Sequence, residues 1–77
     1  MDFNNKVLKI GSNEYLVIKY IKYEGKDYLY LSNKTDEKDV IIREVVMRNN
    51  DMYIQDIIDK SLRDKVYDLF IKSFVGE

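Results

Sequence analysis

Hydrophobic residues are concentrated in short segments that polar residues separate, and near the end of the chain they take a helical spacing. Several short segments are rich in β-branched and aromatic residues, which is typical of strands. The predicted strands are residues 6–10, 15–23, 27–32, 40–48 and 52–57. The segments that separate them are rich in glycine, asparagine, aspartate and other polar residues that turns and loops favour. The pattern therefore predicts five strands joined by short connections.

The last segment has the period of an amphipathic helix. Its apolar residues are spaced three or four apart, at Leu62, Val66, Leu69, Phe70 and Phe74. The spacing predicts a helix over about 60–74. Either Asp59 or Ser61 can cap its start by accepting backbone N–H bonds, and Gly76 suits its end.

This order of elements predicts a single α+β domain over residues 1–77. Short connections favour an antiparallel meander of about five strands, because parallel neighbours need long crossovers. One amphipathic helix is not stable alone in water, so we expect it to pack on one face of the sheet. The alternative is a partly closed SH3-like barrel with the helix at one end.

Alternation divides the hairpin of residues 15–32 into two faces. The face that carries Leu29 and Leu31, which we call the leucine face, is predicted to include Leu16, Ile18 and Tyr20. The face that carries Tyr28 and Tyr30, which we call the tyrosine face, is predicted to include Val17, Lys19, Ile21, Tyr23 and Lys26. A three-residue turn with a bulge would shift this pairing, whereas a two-residue or four-residue turn preserves it. We expect the helix to cover the leucine face.

The tyrosine face has three interpretations. A half-hydrated sheet face uses tyrosine because the ring packs while the hydroxyl stays in water. Tyrosine is also enriched where proteins bind each other. Alternatively, the rings stack on bases of a single-stranded nucleic acid while lysines contact its phosphates. The candidate binding residues on this face are Lys19, Tyr23, Lys26, Tyr28 and Tyr30.

The helix adds two candidate residues. Its apolar side spans roughly 200° of arc, which is wider than one sheet face needs. Tyr67 and Ile71 lie at the edge of this arc. They either cover the margin of the sheet or the N-terminal strand, or they contact a second copy or another partner.

Composition narrows the chemistry. The chain has 13 basic and 14 acidic residues, and a net charge of −1 disfavours a general nucleic-acid binder. It contains no histidine and no cysteine, so it lacks the usual general base, the thiol nucleophile and the commonest zinc ligands. Asp36, Glu37 and Asp39 are expected in a solvated loop without the spacing of a calcium site. We predict no enzyme activity, no cofactor and no metal.

The sequence also suggests a location and an origin. No apolar run approaches the ~18 residues of a membrane span, and residues 1–10 lack the pattern of a signal peptide. We therefore expect a cytoplasmic protein that does not bind membranes. Isoleucine, lysine, asparagine and tyrosine are common, and their AT-rich codons indicate a bacterium or its phage.

Three stretches carry a resemblance to a known family. They are "YEGKDYLYL" (23–31), "DVIIREVV" (39–46) and "LRDKVYDLFIKSF" (62–74). Their order resembles a family of small bacterial proteins classed as a domain of unknown function, which have a "YEGKEY"-like hairpin and a C-terminal helix. That family is strongly acidic, whereas this chain is nearly neutral. The resemblance implies the β-meander architecture and no activity.

Together these features predict a non-enzymatic protein-interaction or regulatory module. Its partner would be an unidentified protein or a second copy of the chain, and a phage-encoded inhibitor of a host protein would be one version of it. The alternative is a single-stranded nucleic-acid-binding domain that uses the tyrosine face.

Overall fold

The structure is a computed structural model of the 77-residue chain, and it describes residue 3 and residues 6–75. The described elements are β1 (Val7–Ile10), β2 (Asn13–Tyr23), β3 (Lys26–Asn33), β4 (Val40–Arg48), β5 (Asp51–Gln55) and α1 (Lys60–Val75). The strands form one antiparallel sheet in chain order. The predicted α+β meander with a C-terminal helix is confirmed, and the curled sheet also fits the SH3-like alternative. Gly76, the predicted helix end, lies outside the described residues.

Asp59 caps the start of α1. Its Oδ1 accepts hydrogen bonds from the backbone N–H groups of Ser61 at 2.9 Å and Leu62 at 3.3 Å. These N–H groups belong to the first turn, which has no acceptors within the helix. Of the two caps that the sequence allows, the structure therefore uses Asp59.

Two-residue turns close the β2–β3 hairpin and the β4–β5 hairpin. Tyr23 pairs with Lys26, so the β2–β3 turn consists of Glu24 and Gly25, which have φ angles of 50° and 78°. Positive φ at both central residues gives a turn whose twist matches that of the strands. Asn49 and Asn50 join β4 to β5 in the same way, with φ angles of 51° and 71°. Of the turn lengths that the sequence allows around Gly25, the structure therefore has the two-residue turn.

A bulge in β2 interrupts the predicted alternation. Val17 pairs with Leu31 and Lys19 pairs with Tyr30, so Ile18 is the extra residue. Beyond the bulge, Tyr20 lies on the leucine face as predicted. Before it the phase is reversed: Val17, expected on the tyrosine face, packs in the leucine-face core. The placement of Leu16 and Ile18 on the leucine face was therefore wrong.

The sheet is covered on both faces. The leucine-face core contains Phe3, Tyr15, Val17, Leu29, Leu31 and Val45. The second core lies between the tyrosine face and the helix, and it contains Tyr28, Ile42, Ile57, Val66 and Phe70. The prediction that α1 covers the leucine face was wrong, because the buried residues of α1 pack with Tyr28 and Ile42.

The curl of the sheet explains this placement. Leu8 and Ile10 of β1 pack against the leucine-face core, and so does Ile54 of β5. Since β1 and β5 are the two edges of the sheet, the sheet must curve around that core. Phe3 adds a ring to it, 5.6 Å from the ring of Tyr20. The leucine face is thus buried without the helix, and the tyrosine face is left for α1.

Candidate functional site

Tyr28 lies beneath the helix. Only 1% of its surface is exposed, and it shares a core with Val66 and Phe70 of α1. Burial raises the pKa of the Tyr28 hydroxyl, and the carboxylates of Glu44 and Glu24 add to this rise. Tyr28 is therefore a neutral core residue, and in this state it has no surface to offer a partner.

Tyr30 is the point at which the C-terminal half of α1 contacts the sheet. Its ring centroid lies 5.4 Å from that of Phe70 and 5.1 Å from that of Phe74, the latter edge to face. The ring of Tyr67 is stacked on it at 6.5 Å. Tyr23 is half-buried and packs against the same core. Both tyrosines are thus engaged by their own chain.

The two lysines of the predicted site lie apart from each other. Lys19 is half-buried, and its Nζ lies 5.4 Å from the centroid of Phe74, within the range of a cation–π contact. Lys26 is exposed beside the β2–β3 turn. Base stacking requires open ring faces. Because α1 occupies the tyrosine face, the support that the sequence gave to nucleic-acid binding is lost.

A row of partly exposed apolar residues lies along α1 beside its buried face. We call Tyr67, Ile71, Phe74 and Val75 the helix stripe. Tyr67 is 48% exposed, Ile71 36% and Phe74 40%. Tyr67 and Ile71 thus lie at the edge of the helix–sheet contact, where the sequence placed them. Phe74 and Val75 were not predicted to be binding residues, although the wide apolar arc was a signal for Phe74.

A notch opens where β5 stops pairing with β4. β5 pairs with β4 only from Glu44 to Arg48, so residues 40–43 have no strand partner on that side. We call this the β4 notch; its volume is about 410 Å³ and it is lined by residues 40–43, Asp56, Arg63 and Tyr67. Sequence reasoning missed it, because it depends on the different lengths of two neighbouring strands.

Two guanidinium groups line the β4 notch. Arg43 donates from Nη1 to the carbonyl oxygen of Ile42 at 2.8 Å, and the same atom lies 3.4 Å from Oδ1 of Asp56. Arg63 reaches the notch from the first turn of α1. Among the described residues, no carboxylate forms an ion pair or hydrogen bond with the Arg63 side chain. Within the part of the chain that the structure describes, Arg63 thus brings a positive charge to the notch without a counter-charge.

Asp39 anchors the loop between β3 and β4. Its Oδ2 accepts hydrogen bonds from the Tyr15 hydroxyl at 2.6 Å and from Nδ2 of Asn33 at 3.1 Å. These bonds lower the pKa of Asp39, and the bond to Asp39 raises the pKa of Tyr15. Asp39 was expected to be solvated, and this was wrong; Asp36 and Glu37 are exposed. The described residues contain no cluster of acidic side chains that could hold a metal.

Within residues 6–75, α1 is too short and too polar to cross a membrane. Comparisons of the chain with protein-family models, with curated proteins and with solved structures give no match. The resemblance to the small bacterial proteins of unknown function therefore stays a prediction.

Proposed function

We propose that the protein is a non-enzymatic interaction module that self-associates through the helix stripe. One observation carries the proposal: the apolar surface of α1 is wider than the part that the sheet covers. Val66 and Phe70 are fully buried, whereas the residues of the helix stripe are 36–79% exposed. An apolar row with spacings of four and three residues is typical of a helix that packs against another helix.

A second copy of the chain suits this surface. The stripe extends from Tyr67 to Val75, about 12 Å along the helix axis. In a twofold dimer the same patch lies on both subunits, so an apolar row can cover its own copy. Two pairs of charged residues beside the stripe bond along α1, Lys60 with Asp64 and Lys72 with Asp68, each at 3.0 Å. They therefore need no opposite charge from a partner.

Other parts of the proposal rest on the sequence. The absence of histidine and cysteine supports a role without catalysis. The composition supports a bacterial or phage origin, and a cytoplasmic location is proposed with it. If the stripe instead binds a helix of another protein, the module would act as a regulator or inhibitor of that protein.

Light scattering after size exclusion tests self-association. With samples from about 5 to 500 µM, the molar mass should rise from that of the monomer, 9.3 kDa, towards twice that value. Ile71→Ser should reduce this rise, because it places a hydroxyl in the stripe. The matched control is Ile58→Ser, since Ile58 is 92% exposed and lies outside the stripe. A monomer at all concentrations, or equal effects of the two variants, contradicts self-association through the stripe.

A further inference from the structure

The backbone at the β4 notch is a free strand edge. Arg48 pairs with Asp51 across a two-residue turn, so the even-numbered residues of β4 direct their N–H and C=O groups towards β5. Beyond Glu44 there is no β5 residue to receive them. Val40 and Ile42 thus present backbone groups to the open side, and such an edge is a template for another extended chain.

One of these backbone groups already has a partner. The guanidinium of Arg43 donates to the carbonyl oxygen of Ile42. A charged side chain folded over an edge is a common protection against uncontrolled strand pairing. An incoming strand would displace this contact and leave Arg43 beside Asp56, to which it is already close. The edge is therefore guarded, but it is not blocked by the fold.

The charge of the notch selects the ligand. Arg43 and Arg63 contribute two positive charges and Asp56 one negative charge, so the lining has a net charge of +1. Arg63 has no counter-ion among the described residues, and a guanidinium matches a carboxylate with two parallel hydrogen bonds. The half-exposed ring of Tyr67 adds an apolar wall next to this charge.

We infer that the β4 notch binds an extended segment of a partner protein that carries an acidic side chain. The segment adds as a strand to the backbone of Val40 and Ile42, and its carboxylate bonds to Arg63. Main-chain bonds provide a general affinity for extended peptides, and the carboxylate provides selectivity. This site goes beyond the proposed function. It borders the helix stripe at Tyr67, but it uses the backbone of β4 and the charge of Arg63, which the stripe does not.

The test uses the full chain and a defined peptide. The probe is the blocked heptapeptide Thr-Val-Thr-Glu-Thr-Val-Thr, and its comparison has glutamine in place of glutamate. In a ¹⁵N-resolved NMR titration, the amide signals of Ile42, Arg43 and Arg63 should shift, with a dissociation constant of about 0.1–2 mM. The glutamine peptide should bind at least about threefold more weakly, because its neutral amide has one acceptor oxygen in place of the two charged oxygens of a carboxylate.

Two variants test whether Arg63 is the charge that binds the glutamate of the peptide. Arg63→Gln should weaken binding of the glutamate peptide at least about threefold and should remove its preference over the glutamine peptide. The matched control is Arg48→Gln, because Arg48 is exposed at the far end of β4, outside the notch. It should leave both dissociation constants within about 1.5-fold of those of the original chain. The amide spectrum of each variant shows that the fold is kept.

Three results of the peptide titrations overturn the inference. They are an absence of shifts at the notch up to about 5 mM peptide, equal binding of the two peptides, and equal effects of Arg63→Gln and Arg48→Gln. If Arg63→Gln instead abolishes self-association in light scattering, a second copy occupies the notch and the inference also fails. Ile71→Ser should leave peptide binding unchanged, so failure of the stripe and failure of the notch are distinguishable.

Discussion

Replacing Phe70 with alanine tests whether α1 is held on the tyrosine face. Phe70 is 0% exposed, and its ring packs with Tyr28 and Val66 and lies 5.4 Å from that of Tyr30. Phe74 stands one turn later on the same helix and is 40% exposed. Phe70→Ala and Phe74→Ala therefore remove the same atoms and change the same residue type within one helix. They differ in that Phe70 is buried and Phe74 is partly exposed.

The two losses of unfolding free energy should differ clearly. Truncating a buried phenylalanine to alanine costs about 3–5 kcal/mol, because transfer energy is lost and a cavity remains. Phe74 has only about 60% of its surface covered, and solvent can fill the space that it leaves, so about 1–2 kcal/mol is expected there. A chain of 77 residues has a total stability of about 4–12 kcal/mol. Phe70→Ala should thus remove a large share of it.

Urea unfolding followed by circular dichroism measures the difference. Samples at a few micromolar keep self-association out of the measurement. With a slope of about 1 kcal/mol per molar urea, the midpoint for Phe70→Ala should lie about 2 M below that for Phe74→Ala. If Phe70→Ala is unfolded without urea, Phe70→Leu and Phe74→Leu give the same comparison at smaller cost. Equal midpoints, or a lower midpoint for Phe74→Ala, would refute the seating of the helix through Phe70.

Three further predictions concern pH and one turn. Since hydrogen bonds lower the pKa of Asp39 when folded, its contribution to stability is present above its unfolded pKa of about 3.9 and is lost as pH falls through the lower folded value. Asp39→Asn should therefore flatten the acid side of a plot of the urea midpoint against pH, and an unchanged plot contradicts this. Tyr15→Phe should raise the pKa of Asp39, as measured by NMR titration of its carboxyl group. Because the pKa values of Tyr20 and Tyr15 are raised in the folded state, stability is lost as the pH rises above about 10. The absorbance change of tyrosine ionisation should therefore be cooperative and lie at a higher pH than in the unfolded chain. Gly25→Ala should cost about 1–2 kcal/mol in urea unfolding, because Gly25 has a φ of 78°, and a neutral result would exclude this turn.

The local sequence pattern was sufficient to predict the strands and the helix, but it was not sufficient to predict how they pack. Enrichment in β-branched and aromatic residues predicted the strands, and the period of 3.6 residues predicted the helix, because both signals depend only on residues close in sequence. The bulge at Ile18 left no trace in composition, since β-branched and aromatic residues surround it on both sides. The face of the sheet that α1 covers was predicted wrongly for a different reason. Both faces of the sheet are apolar, and only the curl of the whole sheet decides which one is already buried.

For the candidate site, too, local features could be predicted and features that depend on packing could not. The width of the apolar arc placed Tyr67 and Ile71 at the edge of the helix contact. Tyr28 was grouped with Lys26 by alternation, yet one is a core residue and the other is exposed. The unpaired edge of β4 could not be predicted, because it depends on where β5 turns away towards the helix.

A sheet that is buried on both sides has a consequence for how this chain can vary. In β3, Leu29 and Leu31 face one core while Tyr28 and Tyr30 contact the other, so four consecutive positions have no solvent side. In a library of all single substitutions, residues 28–31 should therefore tolerate the fewest changes, whereas the exposed loop at 34–38 should accept most of them. The chain can diversify at its loops and its strand edges, while this short central segment stays nearly fixed.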